Sequence, residues 1–338
     1  MLDNRLDGAL IKFKAESSIA VLLAICISCI SCASLVMLQN VYAGSPINVI
    51  AQQPFAGSDG KINVVVVVGV VKNNGSMPVE VVLGLNVVAR TGGGLSTTIK
   101  QPTYGRIIYP SSVSPFKFAV EPSSSVSGSP FILNSKEVLT PYYKVLSLSY
   151  SNMPVGSDKT LVGTAKNVSP FDLHNVTILA SVHESNGTQI DSVKSQLFPV
   201  IRTDQTVAFT AVPDPAIKQN IAYFSCADID VGTNSTLNTL AIGNGQFIAY
   251  QMYGAAQISD LKYDNATDSL VFGIKHYNPD GGPFSLMIPE MSINQPVSVI
   301  LDGKLYTQAS VKMDGKAVHI DFFVPPASHQ VQIKTLWQ

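Results

Sequence analysis

The sequence predicts an all-β protein: tandem immunoglobulin-like β-sandwich domains carried on an N-terminal transmembrane helix. Three features predict it. A single long apolar run lies near the N-terminus. Beyond residue 60, β-branched segments are punctuated by Gly, Pro, Asn and Asp clusters, and no helical period intervenes. A sequence element also recurs 94 positions downstream, from Gly69 to Gly163.

The apolar run covers residues 19–38, which is 20 residues of mostly Ala, Val, Leu, Ile, Met and Cys. A helix of about 20 residues spans the roughly 30 Å of a hydrocarbon core. Arg5, Lys12 and Lys14 precede it, and the next basic residue is Lys61. That asymmetry keeps the N-terminus in the cytoplasm and translocates the rest. The expected organisation is a cytoplasmic tail (1–17), a transmembrane helix or signal-anchor (18–38) and a polar stalk (39–60). Sandwich repeat 1 (61–150), sandwich repeat 2 (151–254) and a C-terminal sandwich (255–338) follow. Val41-Tyr42-Ala43 before Gly44 also offers a signal-peptidase pattern, so a cleaved leader is the alternative. Either way the body lies outside the cell membrane.

Strands are expected over 62–71, 79–89, 160–166, 176–182 and 317–324. Residues 64–68 are all Val, without alternation, which suits a strand buried on both faces. The repeat aligns Gly69-Val70-Val71-Lys72-Asn73 with Gly163-Thr164-Ala165-Lys166-Asn167. In each copy a turn, an apolar strand, a Gly turn and an aromatic-rich strand come next. The last of these is Phe116-Lys117-Phe118, then Val207-Ala208-Phe209. About 95 residues with some seven strands is the size of an immunoglobulin-like sandwich. The Asn of each element reads as a turn opener, bonding its side chain to nearby backbone.

This repeat resembles FxLYD-type domains, small sandwiches of exported archaeal and bacterial proteins, although the F-x-L-Y-D string itself is absent. Residues 255–337 contain Ser269-Leu270-Val271-Phe272, Ile288-Pro289, Val297-Ser298-Val299-Ile300-Leu301-Asp302-Gly303 and His319-Ile320-Asp321-Phe322-Phe323. In that order they resemble the C-terminal β-sandwich module of archaeal cell-surface proteins, including those of ammonia-oxidising archaea. The resemblance implies a surface location and no activity.

Composition narrows the chemistry. Charged residues are 13% of the chain, against about 25% in an ordinary soluble domain, and net charge is −1. No polybasic field exists for nucleic acid. Cys26, Cys29 and Cys32 lie in the apolar run and read as helix-packing residues, so Cys226 has no intramolecular partner outside it. A lone thiol there is buried or pairs between chains, and Tyr223 and Phe224 favour burial.

His174, His183, His276, His319 and His329 form no H-x-x-x-H or H-E-x-x-H pair. His319 and His329 alone could meet, were their strands antiparallel neighbours. Cys226 has no following His at blue-copper spacing. There is no G-x-S-x-G elbow, and Gly92-Gly93-Gly94 lacks the Lys and helix of a phosphate loop. Asp228, Asp230, Asp264, Asp268 and Asp280 sit in turn-like surroundings without EF-hand spacing. No catalytic, cofactor or metal residue is therefore assigned. Glycosylation sequons fall at Asn74, Asn175, Asn186, Asn234 and Asn265, and a sixth at Asn167 is weakened by Pro170.

The expected role is a membrane-anchored extracellular structural or interaction protein of the cell envelope, without enzymatic activity. Its partners are the membrane, through the helix, and an unidentified protein. An accessory subunit of a membrane complex is the first alternative, and an exported metal carrier or enzyme the second.

Overall fold

The computed structural model describes residues 46–58, 63–90, 94–215, 217–232, 238–243, 246–289, 296–314 and 317–334. The helix expected over 18–38, with its three cysteines, lies outside them. No helix of the described residues is long and apolar enough to cross a membrane. Ile47–Gln338 forms one compact unit. It is all-β, and its sheets are consistent with tandem β-sandwiches.

The first sandwich holds β1 (Ile47–Ala51), β2 (Phe55–Ser58), β3 (Asn63–Asn73), β4 (Val79–Ala89), β5 (Ser96–Pro102), β6 (Val113–Val120), β7 (Ser124–Val126) and β8 (Phe131–Glu137). Strand β3 centres one sheet, between β6 and the successive β1 and β2. Strand β4 centres the other, between β5 and the pair β7 and β8. Alternate residues of β4 point inward, so Val81, Leu83, Leu85 and Val87 meet Val67, Val71, Phe116 and Phe118 in the core. Full burial of each such side chain contributes about 1.5–3 kcal/mol. Residues 47–58, expected as stalk, instead supply two strands. Ile47 takes a core place that a composition-based reading of a Pro-containing stretch could not assign.

The second sandwich takes its strands from β9 (Tyr142–Tyr143), β10 (Leu146–Tyr150), β11 (Leu161–Asn167), β12 (Leu173–His183), β13 (Gln189–Lys194), β14 (Phe198–Ile201), β15 (Thr206–Ala211) and β16 (Tyr223–Val231). Its sheets are β10-β11-β15, and β12 flanked by β13, β14 and β16. Thus β10, expected in the first repeat, pairs with β11 of the second.

The third contains β17 (Asn238–Gly243), β18 (Gln246–Tyr253), β19 (Ala256–Asp264), β20 (Ser269–His276), β21 (Gly282–Ile288), β22 (Ser298–Leu301), β23 (Lys304–Leu305), β24 (Ser310–Asp314), β25 (Ala317–Val324) and β26 (Ser328–Lys334). The hairpin β17-β18 joins β21, β25 and β24, so residues 238–253 belong to this core rather than to the second. The other sheet runs β23-β22-β26-β20-β19-β9. Its last strand is borrowed: Tyr142 and Tyr143 pair in parallel with Gln257 and Ile258.

The repeated element has a definite mechanical use. Asn73 and Asn167 are both fully buried at the ends of β3 and β11. The Nδ2 of Asn73 donates to Met77 O at 2.8 Å and Ile108 O at 2.9 Å, and its Oδ1 accepts from Gly75 N at 2.9 Å. Asn167 repeats this with Phe171 O at 2.8 Å, Ile201 O at 3.0 Å and Ser169 N at 2.9 Å. One side chain therefore shapes the turn and ties it to the facing strand.

The glycines repeat as well. Gly69 faces Phe116 and Gly163 faces Phe209 in the ladders. A Cβ on Gly163 would stand 2.6 Å from Tyr150 Cβ and 2.7 Å from Phe209 Cζ. Each ring thus lies over a bare backbone on the neighbouring strand. Gly163→Ala should cost about 1–3 kcal/mol, as overpacking does. The shift in urea midpoint at unchanged slope measures it.

The expectation that residues 64–68 are buried on both faces is met. Val67 and Val71 enter the first core, while Val64, Val66 and Val68 form a second cluster on the outer face with Phe55. Strand β13 of the second sandwich lies against that outer face, and Gln189 Nε2 donates to Gly69 O at 3.3 Å.

Candidate functional cleft

The chain between the first two sandwiches passes beside the third, and a cleft forms there. Gly254 N donates to Leu139 O at 3.2 Å, and β9 pairs with β19. The cleft has a volume of about 420 Å³. Ligand sites commonly fall at about 300–1,000 Å³ and at domain junctions. One wall is aromatic: Tyr109, Tyr142, Tyr143 and Phe171, backed by Met252. Tyr109 and Tyr142 meet edge to face at 5.0 Å, as do Tyr143 and Phe171 at 5.7 Å. The polar wall holds Glu80, Arg106, Asp230, Asn238 and Gln251.

Burial, then the Tyr250 and Tyr109 phenols, holds the Tyr143 hydroxyl far above the usual phenol range. Burial, then Tyr109 and Tyr142, does the same for Tyr277, whose ring is 6.5 Å from that of Tyr109. Tyr143 and Tyr277 therefore keep their phenol protons at physiological pH. The aromatic wall offers π faces, and the Tyr143 hydroxyl donates to the soft Met252 sulfur at 2.9 Å. Little in the amino-acid order signals this cleft, because its residues come from segments far apart in the chain.

The histidines do not converge. His319 lies on β25 and His329 on β26, strands of different sheets, so the two are not antiparallel neighbours. His276 packs against Gly282, and its Nδ1 accepts from Asn278 N at 3.0 Å. His183 stacks on Tyr223 at 4.7 Å, with its Nε2 2.8 Å from Ser181 Oγ. Ser181 is 3% exposed, so that Ser-His contact is enclosed rather than open to a substrate. His174 is exposed on β12. Among the described residues no three His, Cys, Asp or Glu side chains group as a metal site would need.

His329 is tied to Asp302 instead, Nδ1 to Oδ2 at 2.7 Å, and Gln330 N donates to Asp302 Oδ1 at 2.8 Å. The Asp302 hydrogen bond raises the His329 pKa, and the same bond lowers that of Asp302. The histidine's contribution to stability is complete below its unfolded value of about 6.5. It fades as pH rises through the raised folded value. The aspartate's contribution is present above about 3.9 and fades as pH falls through its lowered folded value. Asp302→Asn should bring the His329 titration, followed by NMR, down towards the ordinary value.

Among the other acidic candidates, Asp230 Oδ1 accepts from Arg106 N at 3.4 Å on the cleft wall. Asp264 Oδ2 accepts from Thr267 Oγ1 at 2.7 Å in the β19-β20 turn, and Asp268 accepts from the Tyr263 hydroxyl. The exposed Asp280 lies in the turn before β21, where its N–H donates to Asn278 Oδ1 at 3.1 Å. Asp264, Asp268 and Asp280 thus lie in or beside turns. Cys226 is half-buried on β16, hydrogen-bonded to Tyr150, and burial pushes its thiol up to about 11. It is therefore a weak nucleophile.

Of the sequons, Asn74, Asn186 and Asn265 are exposed at turns. Asn175 is half-buried within β12 in a left-handed conformation (φ 51). Asn234 and Gly92-Gly93 lie outside the described residues. Asn167 is fully buried, and both its Nδ2 hydrogens are used. Peptide mapping of the protein isolated from its native cells should find Asn167 unmodified.

No family model and no curated protein matches this chain. A solved structure, trypsin-activated alpha-2-macroglobulin from Escherichia coli, aligns with 87% of this chain and 22% of its own, at 10% identity and a TM-score of 0.16. The chain thus spans about a fifth of that protein, and a similarity of this degree does not establish a common fold.

Proposed function

We propose that this chain is a membrane-anchored structural and interaction protein of the cell envelope, with immunoglobulin-like sandwiches presenting a binding cleft outside the cell. The observation that carries the reading is the aromatic cleft of about 420 Å³ where three sandwiches meet. Support for the anchor comes from the 20 apolar residues at 19–38 and the basic residues before them. Support for an envelope setting comes from the low charge content, the sequons on exposed turns, and the resemblance to FxLYD-type and archaeal surface modules. Tyr and Phe beside Arg, Asn and Gln form a surface suited to a protein segment or glycan, which needs stacking and hydrogen bonds together.

The test is affinity purification of the full-length protein from native membranes, with mass spectrometry of everything bound. Thr140→Trp, which fills the cleft, is the comparison. A stoichiometric partner lost with Thr140→Trp supports the reading. A partner retained by that variant moves binding elsewhere, and a stoichiometric integral membrane partner favours the accessory-subunit role. A chain that begins near Gly44 and comes off alone removes the anchor.

A further inference from the structure

We propose that Lys117 and Asp191 become joined by an isopeptide bond, covalently welding the first sandwich to the second, with Asp214 as the proton relay. Lys117 lies between Phe116 and Phe118 on β6, so its side chain leaves the core that those rings enter. It points into the seam with the second sandwich. Its Nζ is 2.8 Å from Asp191 Oδ1 and 3.2 Å from Asp214 Oδ2. The side chains of Asp191 and Asp214 are only 1% and 6% exposed, and that of Lys117 is 16% exposed.

Several features make this more than an ion pair in reach. Both Asp191 oxygens are gripped by backbone: Ser192 N donates to Oδ1 at 2.8 Å and Asp214 N to Oδ2 at 2.9 Å. Donors fixed on a carboxyl stabilise the negative charge that builds on its oxygens when a nucleophile adds to the carbon. The two strands are pinned around the pair. Ser192 Oγ donates to Phe116 O at 2.8 Å, and Gln101 Nε2 to Lys117 O at 2.9 Å. A nucleophile so held meets its electrophile at a very high effective concentration. Three charges, one positive and two negative, are withdrawn from water here, and amide formation removes an opposite pair of them. The chain has no disulfide to offer in this place, because Cys226 is its only cysteine beyond the N-terminal segment.

The reaction balances without any further reagent. An ammonium and a carboxylate give a secondary amide and one water. The Nζ–Cγ bond forms and one Cγ–O bond of Asp191 breaks. Asp214 accepts a proton from Nζ and returns it to the departing oxygen. Two Nζ protons leave with that oxygen as water, and nothing is oxidised or reduced.

Intact-mass measurement of the purified full-length protein, denatured and enzymatically freed of glycans, tests this directly. The expected mass is lower than that of the chain, for the N-terminus found, by one water. A tryptic map should lack cleavage after Lys117 and contain a branched peptide joining the Lys117 and Asp191 segments. Lys117→Arg, which keeps the charge, should show the full mass. Wild-type protein of full mass that is cleaved after Lys117 overturns the proposal and leaves an ion pair only. A branch at Asp214 instead of Asp191, or an Asp214→Asn variant that still loses water, overturns the assigned roles.

Discussion

Replacing Lys117 by Met is expected to destabilise the protein by at least about 3–5 kcal/mol, because it removes the proposed link to Asp191 and leaves two buried carboxylates without a cation. Asp191 is 1% exposed and Asp214 6% exposed, so water cannot take over the lost interaction. The loss should be nearly independent of salt, since a seam closed to solvent is closed to counterions. Lys166 and Asp204 provide the contrast. They are 3.2 Å apart but 47% and 80% exposed. Exposed pairs contribute about 0–1 kcal/mol, so Lys166→Met should barely move the urea midpoint. Equal losses for the two variants would mean that the seam is wet.

Asn167→Ala is the second large effect, expected at about 2–4 kcal/mol from four lost hydrogen bonds and a small cavity. The turn after β11 would lose its link to Ile201 across the sandwich. Asn167→Asp should be worse, because it turns an oxygen towards the Phe171 and Ile201 carbonyls that now receive N–H groups. Asn73 makes three of these four bonds in the first sandwich, without the one from a serine hydroxyl, so Asn73→Ala should cost somewhat less. Thermal and urea unfolding of the single variants check both. A loss at Asn167 below that of an exposed control such as Asn186→Ala would remove the clamp as the reason for the repeat.

The G-x-x-x-N repeat shows what a sequence can carry. Its Asn was legible as a turn opener, because an Asn at the end of a β-branched run has few other uses. That the Gly admits a neighbouring aromatic ring was not legible, since Phe116 follows Gly69 by 47 residues. The cleft was less visible still. Tyr109, Tyr143 and Met252 share no local pattern, and the chain gives no hint that Tyr142 and Tyr143 extend a sheet of another sandwich.

The all-β class, the bounds of Val79–Ala89 and Ala317–Val324, the double burial around Val66 and the turn role of the repeated Asn can all be read from the amino-acid order. These depend on alternation, β-branching and turn residues within a few positions, and such signals are local. Long-range packing sets the rest: residues 47–58 supply β1 and β2, β17 and β18 join the third core, and His319 and His329 stand on different sheets. It also decides the fate of Lys117. A Lys between two Phe on a strand reads as the solvated face, and here that face is closed by Asp191 from 74 residues away. Pairings of that kind are set by which surfaces meet once the sandwiches have formed, and no short window of sequence contains that information.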